Sequence, residues 1–500
     1  MMAAKLDKTM RLDTLLAGIA PAPATEISGL TLDSKTLVRG SAFVAVQGAT
    51  RHGFEFVDEA LSRDAAAVIT DLPETDLRVQ ALRRKLPVVS VAEDLRLPAL
   101  LGSRFYAQPG DSLRIAAVTG TNGKSSISWL IAAALRAHGE RSAIMGTLGS
   151  GPLRALRSQS LTTPDAITVQ RRLSEFLGEG VTHVALEASS HALVQQRLAH
   201  SDIDIAVFSN LSRDHLDYHG SMDDYFEAKA SLFEQQGLRD RIIATDDIYG
   251  QQLWQRYSDV AIQVSSTAID DLPARFVCVR DAVQSVAGTQ LTLSTDEGDV
   301  EVCTRLIGQF NIQNVCLAFA ALRAHGLDPA AAADALADAL PPPGRLQRVA
   351  SGSPAVFVDF AHTPEALSLV LETLREGVSG KLICVFGCGG DRDKGKRPQM
   401  AAAAEAGADH LVLTSDNPRT EAIEEIIDGM LKGLTKKPSR IEFDRRAAIR
   451  AAIEMANDDD VVVIAGKGHE KFQVIDGQSL PFDDVLEARI ALRDSRGVVG

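Results

Sequence analysis

The chain has 500 residues, a length that allows about two to four domains with buried cores. Its formal net charge of −14 argues against a nucleic acid as its main partner, because a phosphate backbone attracts a basic surface. No apolar run approaches the length of a membrane span, and the charges of Lys5, Asp7 and Lys8 argue against a signal peptide. We therefore expect a soluble intracellular protein.

The cysteines agree with that location. They stand at positions 278, 303, 316, 384 and 388, an odd number at irregular spacing, which argues against a disulfide framework and favours a reducing cytoplasm. The pair Cys384-x-x-x-Cys388 has no second Cys or His pair at a spacing typical of zinc sites. We interpret both as ordinary buried thiols at the end of a strand.

The first region, residues 1–108, alternates short strand-like runs with helix-like stretches. Residues 41–46, 66–70 and 86–91 are apolar runs that predict strands, and residues 56–63 predict a helix. The run Gln108-Pro109-Gly110 is typical of a linker. We predict a small N-terminal α/β domain.

The second region, residues 109–340, predicts a mostly parallel sheet. Its strand-like runs lie at residues 114–118, 143–145, 181–186, 203–209 and 241–244, separated by stretches of helical periodicity. Residues 261–304 hold three or four strand-like runs with few helix signals, which predicts a small antiparallel excursion.

A glycine-bearing turn from Gly120 to Ser126 follows the first of these strands, and a helix is predicted from near Lys124 onwards. Backbone N–H groups at such a helix start can surround a polyphosphate, which predicts a P-loop domain. Lys124 would reach the terminal phosphates and the Ser125 hydroxyl would bind Mg²⁺. Val118 stands where the usual pattern has its first glycine, so a chance Gly-Lys-Ser remains the alternative.

Two further clusters follow strands of the same predicted sheet. Glu187 ends an apolar run and suits Mg²⁺, a hard cation that prefers oxygen ligands, although an acid in the first turn of a helix is the alternative. Residues 210–220 hold two histidines, two aspartates and an arginine, among which His215 could serve a second metal or the phosphate. For Asp217 and His219 we prefer capping and turn roles.

Two predicted helices carry residues whose roles the local pattern leaves open. Residues 225–233 predict an amphipathic helix with its aromatic and leucine side chains facing inward, on which Lys229 by itself indicates a solvated residue. Residues 308–314 open another helix, with Asn311 as the predicted N-cap. Asn314, one turn on, is an exposed amide that could bind a base or nothing.

The third region begins at the breaker Pro341-Pro342-Pro343-Gly344, and residues 341–500 predict a second, Rossmann-like open α/β sheet. Its predicted strands lie at residues 355–360, 381–386, 410–414, 440–443 and 461–465. Ligands of such sheets bind beyond the carboxyl ends of the strands, where this region carries four charged turns. These turns lie at residues 359–364, 387–397, 414–419 and 466–470, and they predict a substrate with several charges. Arg392 could hold a carboxylate bidentately.

Taken together, these residues resemble the Mur ligase family of ATP-dependent amide-forming enzymes. The resemblance spans essentially the whole chain, including three domains at 1–108, 109–340 and 341–500. The motifs that carry it are GTNGKS at 120–125, Glu187-x-Ser-Ser-His, NLSRDHLDYHG at 210–220, YFEAKASLF at 225–233 and Asp359-x-Ala-His. The run Asp416-Asn417-Pro418-Arg419 and the loop GCGGDRDKGKRP at 387–398 resemble the members that add meso-diaminopimelate rather than lysine.

The resemblance implies a ligase that joins meso-diaminopimelate to UDP-N-acetylmuramoyl-L-alanyl-D-glutamate. ATP would phosphorylate the D-glutamate side-chain carboxylate, and the diaminopimelate amine would attack the acyl phosphate. The product would be the tripeptide precursor of peptidoglycan, released with ADP and phosphate. The expected partners are these small molecules and Mg²⁺, and we expect neither nucleic acid binding nor a membrane span. The protein is expected to be a cytoplasmic monomer.

The resemblance also implies roles for individual residues. ATP would be held by Gly120, Thr121, Asn122, Gly123, Lys124, Ser125, Ser126, Asn314 and Asp359. Mg²⁺ would be held by Ser125, Glu187, His215 and Lys229, the last as a carbamate (N6-carboxylysine), and Lys124, Glu187, His215 and Lys229 would be the catalytic set.

The two remaining substrates have implied sites as well. The nucleotide-sugar dipeptide would contact Leu32, Ser34, Ala49, Thr50, Arg51, Leu161, Thr162, Thr163, Ser189, Gln195 and Arg197. Diaminopimelate would contact Arg392, Asp416, Asn417, Pro418, Arg419, Gly466 and Glu470. Leu161 departs from the family pattern, which has an amide-bearing residue there, so one sugar or peptide contact differs.

Two alternatives remain open at this point. A sister ligase, folylpolyglutamate synthetase, would share the ATP machinery but bind a pterin and lack the run from Asp416 to Arg419. A P-loop switch protein would hydrolyse its nucleotide without an amino-acid acceptor and would not need the charged turns of the third region.

Overall fold

The structure is a computed structural model that describes residues 9–285, 287–350 and 352–495. Lys5, Asp7 and Lys8 lie outside these residues, as do the outer ends of the first and third predicted domains. Among the described residues no helix combines the length and apolar character needed to cross a membrane. The chain forms two compact units, the first comprising Met1–Ser265, Asp271–Phe276 and Leu317–Asp328, and the second the remainder.

The first unit begins with a small parallel sheet. Its elements are β1 Met10–Arg11, α1 Leu12–Leu15, β2 Glu26–Ile27, β3 Gly29–Thr31, β4 Ser41–Ala45, α2 Val57–Ser62, β5 Ala67–Thr70, α3 Leu77–Leu82, β6 Val88–Ser90 and α4 Leu97–Phe105. Strands β3, β4, β5 and β6 pair in that order, all parallel, and β1 pairs antiparallel with β2. Every residue of β4 and β5 is buried and most are apolar, as expected of strands that are covered on both faces. The predicted strands and helix are confirmed, and the predicted linker contains a 3₁₀ turn at Pro109–Ser112.

The larger sheet of the first unit follows. Its elements are β7 Arg114–Thr119, α5 Lys124–Ala137, β8 Ser142–Gly146, β9 Gly149–Pro152, α6 Ala166–Gly178, β10 His183–Glu187, α7 Ser190–Val194, β11 Ile205–Phe208, α8 Leu216–His219, α9 Met222–Ala230, β12 Asp240–Ala244, α10 Ile248–Tyr257 and β13 Ala261–Ser265. The strand order is β13-β12-β11-β7-β10-β8-β9, parallel except for β9. The five predicted strands are confirmed, and β7 lies centrally, which places the turn after it in the middle of the sheet edge.

The predicted antiparallel excursion at residues 261–304 is correct only in part. β13 pairs parallel with β12 and so extends the main sheet. The antiparallel part consists of β14 Phe276–Ser285, β15 Gly288–Thr295 and β16 Gly298–Thr304, with a bulge between Val279 and Asp281. The helix-like stretch before β13 makes the crossover that a parallel neighbour requires.

The second unit contains a doubly wound sheet. The elements after β16 are α11 Gln309–Ala324, α12 Pro329–Asp338, β17 Gln347–Arg348, β18 Ala355–Asp359, α13 Pro364–Arg375, β19 Leu382–Phe386, α14 Lys396–Gly407, β20 His410–Leu413, α15 Ile423–Leu431, β21 Arg440–Ile441, α16 Arg445–Met455, β22 Val461–Ala465, β23 Phe472–Ile475, β24 Gln478–Pro481 and α17 Asp484–Ser495. The order β17-β18-β22-β19-β20-β21 is parallel except for β17, and β23 and β24 form a separate hairpin. The five predicted strands are confirmed.

Side chains of this sheet alternate between two cores. Phe357 and Phe386 pack with residues of α13, α14 and α15, whereas Val358 and Val385 pack with residues of α16 and α17. Successive residues of a strand point to opposite faces, so an apolar run without polar interruption builds both layers at once. Cys384 and Cys388 are buried in the first of these cores, and burial raises the pKa of each thiol to about 12. The prediction of ordinary buried thiols is confirmed.

The start of α11 corrects two predictions. The helix begins at Gln309, so Asn311 lies inside it and is not its N-cap; its Nδ2 donates to the Ile307 carbonyl at 2.8 Å. Asn314 is not exposed: only 3% of it is accessible, and its Nδ2 donates to Asn311 Oδ1 at 2.9 Å. The amide of Asn314 is buried, although its sequence neighbours are polar, because this face of the helix packs inward.

Candidate functional site

The turn after β7 has the geometry of a phosphate-binding loop. Gly120 has a φ of +143°, and a Cβ there would lie 2.0 Å from Ser209 Oγ, so only glycine fits. Gly123 has a φ of +87° and directly precedes Lys124, the first residue of α5. Since α5 is long and begins at the loop, its first N–H groups are available to an anion.

Two lysines converge on this loop. Lys124 Nζ donates to the carbonyls of Gly120 and Thr121 at 2.9 and 2.8 Å, and Lys229 Nζ donates to the Gly120 carbonyl at 2.7 Å. Lys229 is 1% exposed, so the prediction of a solvated helix residue from its local pattern is wrong. Burial, followed by the nearby charge of Lys124, lowers the pKa of Lys229 well below its usual value. The loop therefore presents a concentration of amino groups suited to a polyanion.

Glu187 gathers oxygen atoms beside the loop. It is the last residue of β10 and is not in a helix, so the alternative of a first-turn helix acid is wrong. Its carboxylate accepts from Ser125 Oγ at 3.0 Å, from Thr147 Oγ1 at 3.1 Å and from the Thr147 N–H at 2.8 Å. A buried carboxylate with two hydroxyls is the donor set that Mg²⁺ prefers. These residues fit the predicted metal, although no group of three or more His, Cys, Asp or Glu side chains among the described residues is arranged so that it could hold a metal ion.

His215 lies one aromatic ring away from Lys229. It has a φ of +51°, and its ring centroid is 6.1 Å from that of Tyr225, over which Lys229 Nζ sits at 4.5 Å. The ring of His191 packs against His215 at 5.1 Å. The loop that carries His215 thus reaches Lys124 and Lys229 through edge-to-face ring contacts.

Asp217 and His219 lie close to His215 in the sequence. Asp217 lies in the first turn of α8, and His219 Nε2 is 2.9 Å from Ser190 Oγ. The position of Asp217 agrees with the preferred turn role, whereas His219 contacts the first residue of α7 and does not cap its own helix, so the preferred role for His219 is wrong.

The first unit also contains a cavity of about 460 Å³, large enough for a small organic ligand. Six of the eleven residues predicted for the nucleotide-sugar dipeptide line it: Leu32, Ala49, Arg51, Leu161, Gln195 and Arg197. Tyr218, Phe56 and Asp71 complete a wall that sequence reasoning did not identify. The remaining five predicted residues, Ser34, Thr50, Thr162, Thr163 and Ser189, are not among its lining residues.

Three of those five residues connect the cavity to Glu187 instead. Thr163 Oγ1 donates to the Glu187 carbonyl at 2.6 Å and lies 3.1 Å from Ser189 Oγ. Arg197, which lines the cavity, donates from Nη1 to the Thr163 carbonyl at 2.8 Å. Thr162 Oγ1 lies 3.2 Å from Thr147 Oγ1. The cavity and the metal-suited oxygens therefore share one hydrogen-bonded network.

The other two predicted residues sit apart from that network. Ser34 is buried, and its Oγ donates to Glu59 Oε2 at 2.7 Å. Thr50 is exposed in the loop after β4, next to Arg51, whose guanidinium pairs with Glu55 at 2.7 Å.

In the second unit, Asp359 ends β18 and is buried. Its Oδ2 accepts from the Leu346 N–H and its Oδ1 from the Ala361 N–H, both at 2.7 Å. Burial raises its pKa, and the positive charge of Arg345 opposes that rise. Arg345, which sequence reasoning missed, lies 5.0 Å from the Phe360 ring, and its Nε is buried without a hydrogen-bond partner among the described residues. An unpaired buried donor beside Asp359 suits an anionic ligand.

A buried lysine organises the predicted amino-acid site. Lys467, of which 0% is exposed, donates from Nζ to Asn417 Oδ1 at 3.0 Å and to Glu470 Oε2 at 2.9 Å. Asn417 Nδ2 donates to the same Glu470 oxygen at 2.9 Å. Although burial opposes ionisation, the charge of Lys467 leaves the pKa of Glu470 lowered. The structure thus brings together Asn417 and Glu470, which lie far apart in sequence.

Other residues predicted for that site surround the same strand ends. Arg419 has a φ of +55° and donates from Nη1 to the Gly390 carbonyl at 2.7 Å. Pro418 is buried beside it. A Cβ at Gly466 would lie 2.6 Å from Asp416 Oδ2, so these two predicted residues are also in contact.

Arg392 differs from the others because its side chain is exposed. It shows no hydrogen bond or ion pair within the part of the chain that the structure describes, whereas its neighbours Lys394 and Arg397 both pair with Glu421. Of the four cations in this loop, Arg392 is therefore better placed to meet a ligand than the two that are already paired.

Sequence reasoning missed Thr147, Arg345 and Lys467. Lys467 stands between two glycines in a motif that was identified, and the fact that glycines allow close packing was the available signal. Thr147 follows a strand and Arg345 follows the proline breaker, but neither belongs to a motif, and only the folded chain brings them to Glu187 and Asp359.

Comparison with known proteins follows the same division of the chain. Three family models match: "Mur ligase family, catalytic domain" at residues 26–101, "Mur ligase middle domain" at 118–322 and "Mur ligase, glutamate ligase domain" at 344–468. A UDP-N-acetylmuramoyl-L-alanyl-D-glutamate–2,6-diaminopimelate ligase of Pseudomonas putida is 43% identical over 97% of this chain and 98% of its own length. The enzyme of the same name from Pseudomonas syringae is 44% identical over 93% of this chain and 95% of its own.

Solved structures agree with this relationship. A ligase of that name superposes with a TM-score of 0.72 at 37% identity, covering 98% of this chain and all of its own. Folylpolyglutamate synthase of Mycobacterium tuberculosis, complexed with ADP, gives a TM-score of 0.59 at 20% identity over 75% of this chain and 92% of its own, which shows a shared fold. The fold class predicted from sequence, an α/β chain with a parallel-sheet P-loop domain between a small N-terminal α/β domain and a C-terminal Rossmann-like α/β domain, is confirmed. The chain belongs to the Mur ligase family.

Proposed function

We propose that this protein is an ATP-dependent ligase that adds meso-2,6-diaminopimelate to UDP-N-acetylmuramoyl-L-alanyl-D-glutamate, forming a tripeptide precursor of peptidoglycan with release of ADP and phosphate. The observation that carries the proposal is the pair of amino groups, Lys124 and Lys229, on the Gly120 carbonyl beside the buried Glu187. A nucleotide switch has no need of a second, buried lysine at its phosphate loop. The relatives of the same name support the choice of substrates.

ATP would bind at the run from Gly120 to Ser126 through backbone N–H groups and Lys124. Ser125, Glu187 and His215 would hold Mg²⁺, which when bound neutralises phosphate charge. Glu187 is held in place for this by Thr147, which leaves its carboxylate directed at Ser125. In the second unit, Asp359 and Asn314 would contact the nucleoside.

Lys229 would complete the metal site as a carbamate. The nitrogen of its neutral amine bonds to the carbon of CO₂ and loses one proton to solvent, so a neutral amine becomes an anion with two oxygen atoms. Only a neutral amine is nucleophilic, and burial lowers the pKa of Lys229 in the required direction. Carbamylation of Lys229 would also remove the charge repulsion between Lys229 and Lys124.

The chain's own residues would then position and stabilise the reacting groups. The D-glutamate carboxylate attacks the terminal phosphorus, giving an acyl phosphate and ADP. The diaminopimelate amine attacks the acyl carbon, and the tetrahedral intermediate expels phosphate and loses a proton. Lys124 would stabilise the charge on the transferred phosphoryl group, because its ammonium already points into the loop.

The nucleotide sugar would occupy the cavity of the first unit, with Leu32, Ala49 and Arg51 at the uridine end. Gln195 and Arg197 would contact the peptide, with Ser189, Thr162 and Thr163 beyond them. Ser34 and Thr50 would act through the loops they belong to, and Leu161 offers an apolar wall in place of an amide. The hydrogen bonds from Arg197 through Thr163 to Glu187 support one continuous path from peptide to phosphoryl group.

Diaminopimelate would bind between the runs 416–419 and 466–470 of the second unit. Arg419 and Arg392 would face its distal carboxylate, while Asp416 and Glu470 would face its ammonium groups. Gly466 and Pro418 would shape the site, and Asn417 would orient Glu470. Lysine ends in a cation where diaminopimelate carries an additional carboxylate, so an arginine there selects against lysine.

The three-domain division at residues 1–108, 109–340 and 341–500 would correspond to nucleotide-sugar, ATP and amino-acid binding. Activity as a monomer stays a prediction. The five cysteines are free, which supports a cytoplasmic location.

The deciding experiment measures phosphate release from ATP in the presence of UDP-N-acetylmuramoyl-L-alanyl-D-glutamate and one amino acid at a time. We expect release with meso-diaminopimelate and none above background with L-lysine, with formation of the tripeptide checked by mass spectrometry. Equal release with both amino acids would contradict the acceptor assignment. Release that needs neither the dipeptide nor the amino acid would favour a nucleotide switch, and activity with a folate and glutamate would favour the sister ligase.

A further inference from the structure

A fully buried ion pair lies beneath the proposed amino-acid site. Arg445 is the first residue of α16, and its guanidinium binds the carboxylate of Asp484, the first residue of α17, in a bidentate way. Nε donates to Oδ1 at 2.8 Å and Nη2 to Oδ2 at 2.7 Å, and 0% of either side chain is exposed. Removing two charges from water is costly, and well-packed apolar residues often stabilise a protein as well as such a pair does. The position of the pair therefore indicates a role beyond stability.

The guanidinium also holds two backbone carbonyls. Nη1 donates to the Ser415 carbonyl at 3.2 Å and Nη2 to the Ala465 carbonyl at 3.0 Å. Ala465 ends β22, and Ser415 is the second residue after β20, while β19 lies between these two strands. Strands two places apart share no ladder hydrogen bonds and are about 10 Å apart. Arg445 is thus a direct link between two strand ends that the sheet itself does not join.

The residues that follow these carbonyls are those of the proposed site. Ser415 directly precedes Asp416 and Asn417, and Ala465 directly precedes Gly466 and Lys467. The two segments touch each other, because Asp416 Oδ2 packs against Gly466 and Lys467 Nζ donates to Asn417 Oδ1. The separation of the carbonyls therefore sets the separation of the side chains that would bind the substrate.

Resting on the acceptor site of the proposed function, we propose that Arg445, held by Asp484, is a positioning residue that sets the spacing between the Asp416–Asn417 and Gly466–Lys467 segments. This spacing selects diaminopimelate, which has both an ammonium and a carboxylate at its far end, over lysine, which has only an ammonium there. Lysine at position 445 keeps the charge but cannot hold the carboxylate and both carbonyls together, since an ammonium lacks the planar fork of a guanidinium.

Two variants and one control test the proposal. Arg445→Lys keeps the buried charge, and the double variant Arg445→Met with Asp484→Leu removes the pair while filling its volume with apolar groups. Ile449→Ala, on the same helix, is the control, because it removes buried core volume and contacts neither carbonyl. For each variant, circular dichroism and thermal unfolding report folding. Initial rates give KM for meso-diaminopimelate, KM for ATP and the ratio of kcat/KM for diaminopimelate to that for lysine.

We expect both position-445 variants to raise KM for diaminopimelate by about tenfold or more, because small displacements of binding groups are costly. KM for ATP should stay unchanged, and the preference for diaminopimelate over lysine should fall. Ile449→Ala should lower the unfolding temperature and leave KM for diaminopimelate and the preference unchanged.

Three results would overturn the proposal. One is a folded double variant with the wild-type KM for diaminopimelate, and another is an equal rise in both KM values. Failure of both position-445 variants to fold would assign the pair to the stability of the unit instead. Absence of diaminopimelate-dependent phosphate release in the wild-type protein would count against the proposed function itself, so the two failures are distinguishable.

Discussion

At the scale of single residues, Lys229 shows how the folded environment decides the chemistry of a side chain. Its sequence neighbours form an ordinary amphipathic helix, yet the amine is buried at the phosphate loop and hydrogen-bonded to Gly120. Water cannot solvate the ammonium there and Lys124 repels it, so the neutral amine is favoured. A neutral lysine at a polyanion site is better explained by covalent modification than by phosphate binding.

Replacing Lys229 by alanine should abolish ligation and leave an oxygen-deficient metal site. If the carbamate is the active form, a short carboxylic acid such as formate or acetate should restore part of the rate, because it supplies the missing oxygen atoms. The measurement is phosphate release as a function of acid concentration, with Lys432→Ala, an exposed lysine, as the control. Full activity of Lys229→Ala without any added acid would refute the carbamate role.

His325 makes folding stability depend on pH. Burial lowers its pKa to about 3, with His183 and Arg114 adding repulsion, so the folded state keeps the ring neutral. In the unfolded chain this imidazole binds a proton below about pH 6.5. The free energy of unfolding therefore decreases as the pH is lowered from 6.5 to 3, by up to about 1.4 kcal/mol per pH unit.

Urea unfolding at a series of pH values, with wild type and His325→Gln, measures this effect. The variant should lose less free energy of unfolding per pH unit on acidification, because glutamine does not titrate. The difference in slope should correspond to the uptake of about one proton. Parallel pH dependences of the two proteins would show that His325 does not contribute.

At the scale of elements, the carboxyl ends of parallel strands carry almost all the site residues. Glu187 ends β10 and Asp359 ends β18, while the loops at Gly120 and Gly466 follow β7 and β22. Parallel strands place these ends at one edge of each sheet, so residues distant in sequence meet there. This rule made the position of the candidate site predictable from the alternation of strands and helices. Thr147, the first residue after β8, also obeys the rule, but it belongs to no motif that would have singled it out.

A substitution at Gly146, the last residue of β8, would test how closely these strand ends are packed. A Cβ at this position would lie 2.1 Å from Glu187 Oε1, so Gly146→Ala should displace the carboxylate from Ser125 and Thr147. We expect kcat to fall by about a hundredfold, because binding groups displaced by about 1 Å lose that much. Steady-state kinetics against Mg²⁺ and ATP concentration provide the measurement.

Gly178→Ala is the matched control for this change. Gly178 ends α6, and a Cβ there would meet nothing within 4 Å, so activity should be retained. Comparable loss in both variants would indicate a general effect of substituting glycine and not a displacement of Glu187.

At the scale of the whole molecule, the fold is shared by enzymes with different acceptors. Folylpolyglutamate synthase matches with a TM-score of 0.59 at 20% identity, so architecture alone does not distinguish a folate ligase from a peptidoglycan ligase. We expect the distinction to lie in the charged turns of the second unit and in the cavity of the first. Function in this family must therefore be argued from site residues placed on a common scaffold.

Nucleotide binding should increase the stability of the folded molecule against unfolding. A non-hydrolysable ATP analogue with Mg²⁺, at about a hundred times its dissociation constant, should raise the free energy of unfolding by about 2.7 kcal/mol, because it binds only the folded chain. Thermal unfolding with and without the analogue measures the shift. Lys124→Ala should lose most of it, and an equal shift in both proteins would place the nucleotide elsewhere.

The amino-acid sequence by itself determined the alternation of strands and helices, the breaks between regions and the motifs at the strand ends. These features follow from local periodicity and turn chemistry, which a chain carries before it folds. Only the tertiary structure decided that Lys229 and Asn314 are buried, that Lys467 joins Asn417 to Glu470, and that Arg445 links two strands that are not neighbours. Burial and long-range pairing depend on which elements pack together, and the physical state of a charged side chain depends on that packing.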